Sequence, residues 1–358
     1  MGGKEIMEKK KYVAYVSTYT MGDDYGIKIY DVDMEKGSMS EKGEIEISNS
    51  SYVTISHNGK YLYSITDFGV ESFAILKDGS LEFINKASIN GMRGCYLSTD
   101  YEDKYLFCAG YHDGKITVLK LDQETGAVGQ ITDEHYHKGL GSIAERSFRP
   151  HISCVKMTRD NKYLCAADLG IDYVYVYKFD SEKGILKAVD IIRCEQESAP
   201  RHLKFSMDGK YMYVVCELKN CIFVYSYTEE KGLPYFEKIQ TIPTTANSEG
   251  QGIAASALTI SEDGKYIIAS NAGENSVAMY EIDSDNGELI NRFCLPISGE
   301  YPKDACLFPD NKHLVSLNHE SNTMTFFNVD LEKDIIVMNG KELEIKQPNC
   351  VIFHEIEG

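Results

Sequence analysis

Arg201-His-Leu-Lys-Phe-Ser-Met-Asp-Gly-Lys-Tyr-Met-Tyr-Val214 decides the fold, because it holds two alternating apolar runs hinged on Asp208-Gly209. Asp-Gly is a strong hairpin dipeptide, since both residues tolerate the positive φ that tight β-turns require. The second half of the stretch, a Lys followed by an aromatic residue and an alternating apolar run, recurs along the chain. Further copies are Lys60-Tyr-Leu-Tyr-Ser64, Lys104-Tyr-Leu-Phe-Cys108, Lys162-Tyr-Leu-Cys-Ala166, Lys265-Tyr-Ile-Ile-Ala269 and Lys312-His-Leu-Val-Ser316. The first is Lys11-Tyr-Val-Ala-Tyr15, which has no turn before it. Successive lysines lie 49, 44, 58, 48, 55 and 47 residues apart. A period near that length suits one four-stranded blade per repeat.

Each repeat divides into an inner strand A before the turn, strand B after it, an alternating strand C such as Tyr173-Val-Tyr-Val-Tyr177, and a weaker strand D. B strands start near residues 11, 60, 104, 162, 210, 265 and 312, and A strands lie near 51, 94, 150, 200, 255, 302 and 348. The last A strand, Pro348–His354, has no B strand after it, and the first B strand has no A strand before it. They complete each other, and such closure removes the open edge that invites aggregation. The expectation is an all-β, seven-bladed β-propeller of four antiparallel strands per blade over residues 11–358, closed by its C-terminal inner strand, with residues 1–10 a disordered tail. Helical periodicity of useful length is absent, which argues against a doubly wound α/β fold.

Composition agrees with a soluble globular chain: of 358 residues, 43% are apolar and 26% charged, and 25 are Tyr, which suits pleated, half-buried surfaces. A formal charge of −18 argues against nucleic acid and against an anionic membrane surface as partners. An anionic small molecule stays open if a few cations share one pocket. The start of the chain shows no apolar run of the signal-peptide kind, and ten scattered cysteines without a Cys-x-x-Cys pair read as reduced core thiols, so a cytoplasmic location is expected.

Strand order predicts where a site would form. The start of A and the end of B share one mouth of the ring with the D-to-A loops. Polar residues gather there: His151 after Pro150, Arg201 and His202 after Pro200, Lys303 after Pro302, and Asp67, Asp168, Glu217, Asn271 and Asn318 at the ends of B strands. Folding about Asp208-Gly209 sets Arg201 almost opposite Glu217. The D-to-A loops 130–149 and 244–254 are long enough to cover this mouth. Simpler roles stay open for each residue: an Arg201–Glu217 ion pair tying inner strands together, inner-strand histidines satisfied by neighbours, and Asn271 and Asn318 bonded to backbone. His135, His137 and His151 are too weakly spaced to make a metal site, and neither metal nor cofactor is expected.

At these positions the chain resembles the bacterial lactonase family of seven-bladed propellers, which includes propeller-type 6-phosphogluconolactonase and a fungal carboxymuconate-lactonizing relative. The resemblance runs from about residue 11 to 354 through Ser17-Thr-Tyr-Thr20, Gly26-Ile-Lys-Ile-Tyr30, Pro150-His151, Ala199-Pro-Arg-His202 with Asp208-Gly-Lys210, and Glu217-Leu218. It implies His151, Arg201 and Glu217 as catalytic residues, by motif. Three positions depart from the family pattern: Ser153 stands where a second His is common, Ala272 where an Arg follows Ser-Asn, and Lys303 where an Arg follows Pro. A planar guanidinium fork is thereby lost at each of the last two.

The expected function is hydrolysis of a sugar lactone, by resemblance 6-phospho-D-glucono-1,5-lactone, through general-base activation of water. Glu217 or His151 would be the base, Arg201 would face the oxyanion, and Lys303 with His202 would add positive charge. Asn271, Asn318 and Asp168 are the further substrate-binding candidates. No Gly-x-Ser-x-Gly elbow supports a covalent serine route. The alternatives are a non-catalytic propeller that binds a metabolite or protein and a lactone-forming cycloisomerase. The expected partner is a small lactone or sugar acid, and the expected state a monomer or weak dimer.

Overall fold

The computed structural model describes residues 10–20, 25–141, 148–246 and 252–357. Every regular element among them is a strand, and the strands form seven antiparallel sheets arranged as a ring. In six of the sheets the four strands run A to D from the axis outward in chain order, from Val53–Ile55 at the inside of blade 2 to Ile335–Met338 at the outside of blade 7. Blade 7 carries one addition, Leu343–Glu344, paired to Thr323–Met324.

Blade 1 closes the ring. Its inner strand is Pro348–Ile356, paired to Lys11–Thr18, which is followed outward by Ile27–Asp33 and Ser38–Ile45. Tyr15 pairs with Ile352 and Val16 with Val351, so the unmatched A and B strands pair as expected. Of the expected tail, residues 1–10, residues 1–9 lie outside the described residues, and Lys10 is exposed with its ammonium 2.7 Å from Glu355.

The recurring phrase has two structural jobs. Within a blade, the hydroxyl or carboxylate before it builds the turn: Ser206 Oγ accepts the Tyr211 amide at 3.0 Å, and Asp208 Oδ1 accepts the Lys210 amide at 3.1 Å. The same pattern repeats at Ser261 and Asp263. Between blades, a B-strand tyrosine donates its phenol to the C–D turn of the next blade. Tyr61 reaches Glu124 O at 2.5 Å, Tyr163 reaches Gly232 O at 3.0 Å and Tyr213 reaches Gly287 O at 3.1 Å. Gly184, at φ +68°, shows why the turn needs glycine: a Cβ there would lie 2.2 Å from the Tyr105 ring. The aromatic and glycine content thus serves one repeated interlock.

A second repeated device sets the mouth. Inner strands carry a bulge, with the extra residue at Ser153 in blade 4, Arg201 in blade 5 and Lys303 in blade 7. A bulge frees one residue from the ladder and re-aims its side chain. In the ring alignment the same place is held by Ser51, Cys95, Ser256 and Asn349. Small members fasten one blade to the next: Ser51 Oγ donates to Gly94 O at 3.2 Å, Ser153 Oγ to Arg201 O at 2.8 Å, and Asn349 Nδ2 to Ser51 O. Only Arg201 and Lys303 place a long cation at this level.

Candidate functional site

Arg201 is held from both sides. The loop before it passes through Ala199, a non-glycine residue at φ +55°, and Asp172 of the neighbouring blade clamps that loop by accepting the Glu197 and Ala199 amides, each at 2.8 Å. Left-handed backbone at a non-glycine residue costs about 1–2 kcal/mol and persists where surrounding contacts dictate it. Lys303 is set the same way: Asn275 Oδ1 accepts the amide of Tyr301, at φ +59°, and the Lys303 ammonium lies 4.9 Å from the Tyr301 ring centre.

Arg201 Nη1 donates to Glu217 Oε2. Glu217 is only 1% exposed, whereas the Arg201 side chain keeps 24% of its surface accessible. Burial opposes the guanidinium charge, yet the Glu217 carboxylate outweighs it and the Arg201 pKa is raised. The pair lines a mouth cavity of ≈ 290 Å³ together with Lys303 and His202. The structure therefore brings Arg201, Glu217, His202 and Lys303 together.

His202 differs from its expected role as an extra positive charge. Burial, then Arg201, Lys204 and Lys303, push its pKa well below 6.5, so the imidazole is neutral at pH 7. Its ring meets Tyr96 edge-on at 5.2 Å. The unfolded chain binds this proton more tightly than the folded one. The His202 contribution to stability is therefore present above about 6.5 and is lost as pH falls from there toward the lower folded value. His202→Gln is expected to lose less melting temperature between about pH 7 and 5 than the wild type in calorimetry. Equal slopes would contradict the assignment.

His151 stands beside the mouth and is not among the side chains lining its cavity. Its ring stacks on Tyr111 at 4.3 Å and 17°, and Nδ1 donates to Tyr111 O at 2.7 Å, which leaves the lone pair on Nε2. Asp168, Asn271 and Asn318 are each 0% exposed and spend their side chains on protein groups. Asp168 Oδ1 accepts the His151 and Gly170 amides, and Oδ2 meets His137 Nδ1 at 2.7 Å. Asn271 donates to Thr244 O at 2.7 Å, and Asn318 donates to Thr323 Oγ1 at 3.2 Å. They brace loops instead of facing the mouth. The histidines of the weak metal reading are likewise engaged apart, His135 with Asp133 and His137 with Asp168.

Ser153, in place of the family's second His, binds the Arg201 carbonyl, and Ala272 is buried. Of the loop 130–149, residues up to 136 belong to the outer strand Val128–Tyr136 of blade 3, and 142–147 lie outside the described residues, as do 247–251 of the other loop. None of the ten cysteines is bridged. No helix among the described residues is long and apolar enough to cross a membrane.

Several mouth residues escaped the motif reading. Arg93 donates to Asp67 at 3.2 Å and lies 5.1 Å from the Tyr19 ring centre. Tyr19, Tyr111 and Leu169 line the cavity beside Glu217. Tyr111 and Leu169 follow directly on the last residue of their B strands, as Glu217 does, so aligning the blades at that step would have found these two.

The comparisons with known proteins agree with the fold. A family model described as "Lactonase, 7-bladed beta-propeller" matches residues 13–353. A Bacillus subtilis (strain 168) protein named 6-phosphogluconolactonase is 31% identical over 353 residues, covering 97% of this chain and 99% of its own. The solved periplasmic gluconolactonase of Pseudomonas aeruginosa is 26% identical with a TM-score of 0.88, covering 96% of this chain and 99% of that one. A Bacteroides fragilis structure, described as a candidate 6-phosphogluconolactonase, is 29% identical with a TM-score of 0.87 over 98% of this chain and 99% of its own. The chain belongs to the lactonase family of seven-bladed β-propellers.

Proposed function

We propose that the protein hydrolyses a sugar-type lactone at the channel mouth, with 6-phospho-D-glucono-1,5-lactone as the leading substrate. The observation that carries this reading is the Arg201–Glu217 pair, set beside Lys303 in one cavity. Membership of the lactonase family and likeness to a protein named 6-phosphogluconolactonase support it.

Water attacks the lactone carbonyl carbon while Glu217 takes its proton, and the carbonyl oxygen becomes an oxyanion facing Arg201 and Lys303. Fixed cations in a partly dry cavity stabilise that charge more than water does. Collapse of the intermediate breaks the bond to the ring oxygen, which takes the proton back from Glu217 and leaves a free hydroxyl and an aldonic acid. Glu217 is the base in this account because it lines the cavity, whereas His151 holds Tyr111 in place from the side. His202, neutral at pH 7, offers a hydrogen bond to substrate without adding charge.

A pH-stat assay on freshly made lactone tests the reading. Turnover well above spontaneous hydrolysis is the expected result, and a rate equal to buffer alone would overturn it.

A further inference from the structure

The mouth opens into a second cavity of ≈ 470 Å³ along the propeller axis, and Arg201, His202 and Lys303 line both. Three residues along each inner strand from the bulge position, the ring carries Thr54, Ser98, Lys156, Lys204, Thr259, Cys306 and Ile352. Five of these are uncharged, and Ser98 and Thr259 serve as fasteners, donating to Val155 O at 2.8 Å and Ala305 O at 2.6 Å in the next blade. The exceptions are Lys156 and Lys204, on adjacent blades, both lining the channel.

Among the described residues no carboxylate neutralises Lys156: the charged and titratable groups acting on it are Lys204, Cys154 and Arg159. Lys204 has a 3.5 Å contact with the Tyr96 hydroxyl. Three acids line the cavity. Glu262 and Glu355 are exposed at the end opposite the mouth. Asp304 is buried, accepts the Ala305 and Val351 amides at 3.0 Å each, and is pushed up to about 6 by burial. Asp304 acts on Lys204 alone, and two neighbouring ammonium groups that share one buried acid are unfavourable in a low-dielectric channel; burial with Lys204 brings Lys156 down to about 7. A dianion between them reverses that cost, and lysine ammoniums are effective phosphate binders.

We propose that Lys156 and Lys204 form a subsite in the axial channel for the phosphate group of a phosphorylated sugar lactone whose ring lies at the Arg201–Glu217 mouth, an assignment that rests on the lactonase reading above. At about 3.3 Å per strand residue, Lys204 stands roughly 7–10 Å along the channel from Arg201, within the span of a six-carbon sugar phosphate. The channel lysines then supply the positive charge that Ala272 withdraws from the mouth.

Titration calorimetry with 6-phosphogluconate, gluconate and inorganic phosphate tests this without any turnover, so it can fail while lactone hydrolysis stands, or stand while hydrolysis fails. Wild-type protein is expected to bind 6-phosphogluconate at least about tenfold more tightly than gluconate, the value of one charge-assisted contact. Lys156→Met and Lys204→Met should each remove most of that preference, whereas Glu217→Gln should keep it. Methionine fills the lysine stem and deletes a buried charge, so both variants should melt at or above the wild-type temperature, and Lys204→Gln serves if one fails to fold. The preference surviving in the Lys156→Met, Lys204→Met double variant would overturn the subsite. Inorganic phosphate binding as tightly as 6-phosphogluconate would overturn the sugar phosphate as its occupant.

Discussion

Glu217→Gln is expected to lower lactone hydrolysis by about 10²–10³-fold, the usual cost of removing a positioned general base. The amide keeps the shape of the carboxylate and still offers an oxygen to Arg201 Nη1, so the inner strands stay tied and the melting temperature should move by only a few degrees. What the variant loses is the ability to take a proton from water. Initial rates over a pH series beside a melting curve separate the two effects. A fully active variant would place the base elsewhere, with His151 Nε2 next in line because its other nitrogen already donates to Tyr111 O.

Removing residues 348–358 is expected to abolish cooperative folding. Those residues supply the entire inner strand of blade 1, which pairs with Lys11–Thr18 and buries Cys350 and Val351 against it. Their loss exposes a long apolar edge of blade 1 and opens the ring between blades 7 and 1. A buried valine alone is worth about 1.5–3 kcal/mol, and a whole domain stands only about 5–15 kcal/mol above its unfolded state. Circular dichroism melting should show a broad, non-cooperative loss of structure, with aggregation through the free edge. A sharp melt near the wild-type temperature would mean that the ring does not depend on this strand.

The ring itself was legible because its signal is periodic. Seven Lys-aromatic phrases, counted against seven inner strands, reveal a strand without a partner at each end of the chain. The Arg201–Glu217 pair was legible for the same reason, since it needs only the register about Asp208-Gly209. Finer placement was lost to alternation. Asp168, Asn271 and Asn318 stand one step before the mouth-facing place that Glu217 occupies, and one step along a strand turns a side chain to the other face. They consequently brace loops. Tyr111 carries no local motif, and its position becomes visible only when the blades are aligned at the ends of their B strands; Arg93, in the loop before the inner strand Tyr96–Thr99, carries none either. Charge state was hidden as well: His202 reads as a cation in the sequence, but in the ring burial, and then Arg201, Lys204 and Lys303, keep it neutral. Lys156 and Lys204 carry no motif, and only closure of the ring turns both toward the axis.

A crystal structure with 6-phosphogluconate, the reaction product, bound at saturation tests the assignment of the mouth outright. Its carboxylate is expected against Arg201 and Lys303 beside Glu217, with the sugar chain leading into the axial channel. A product molecule bound outside this mouth, with the Arg201–Glu217 cavity holding only solvent, would contradict it.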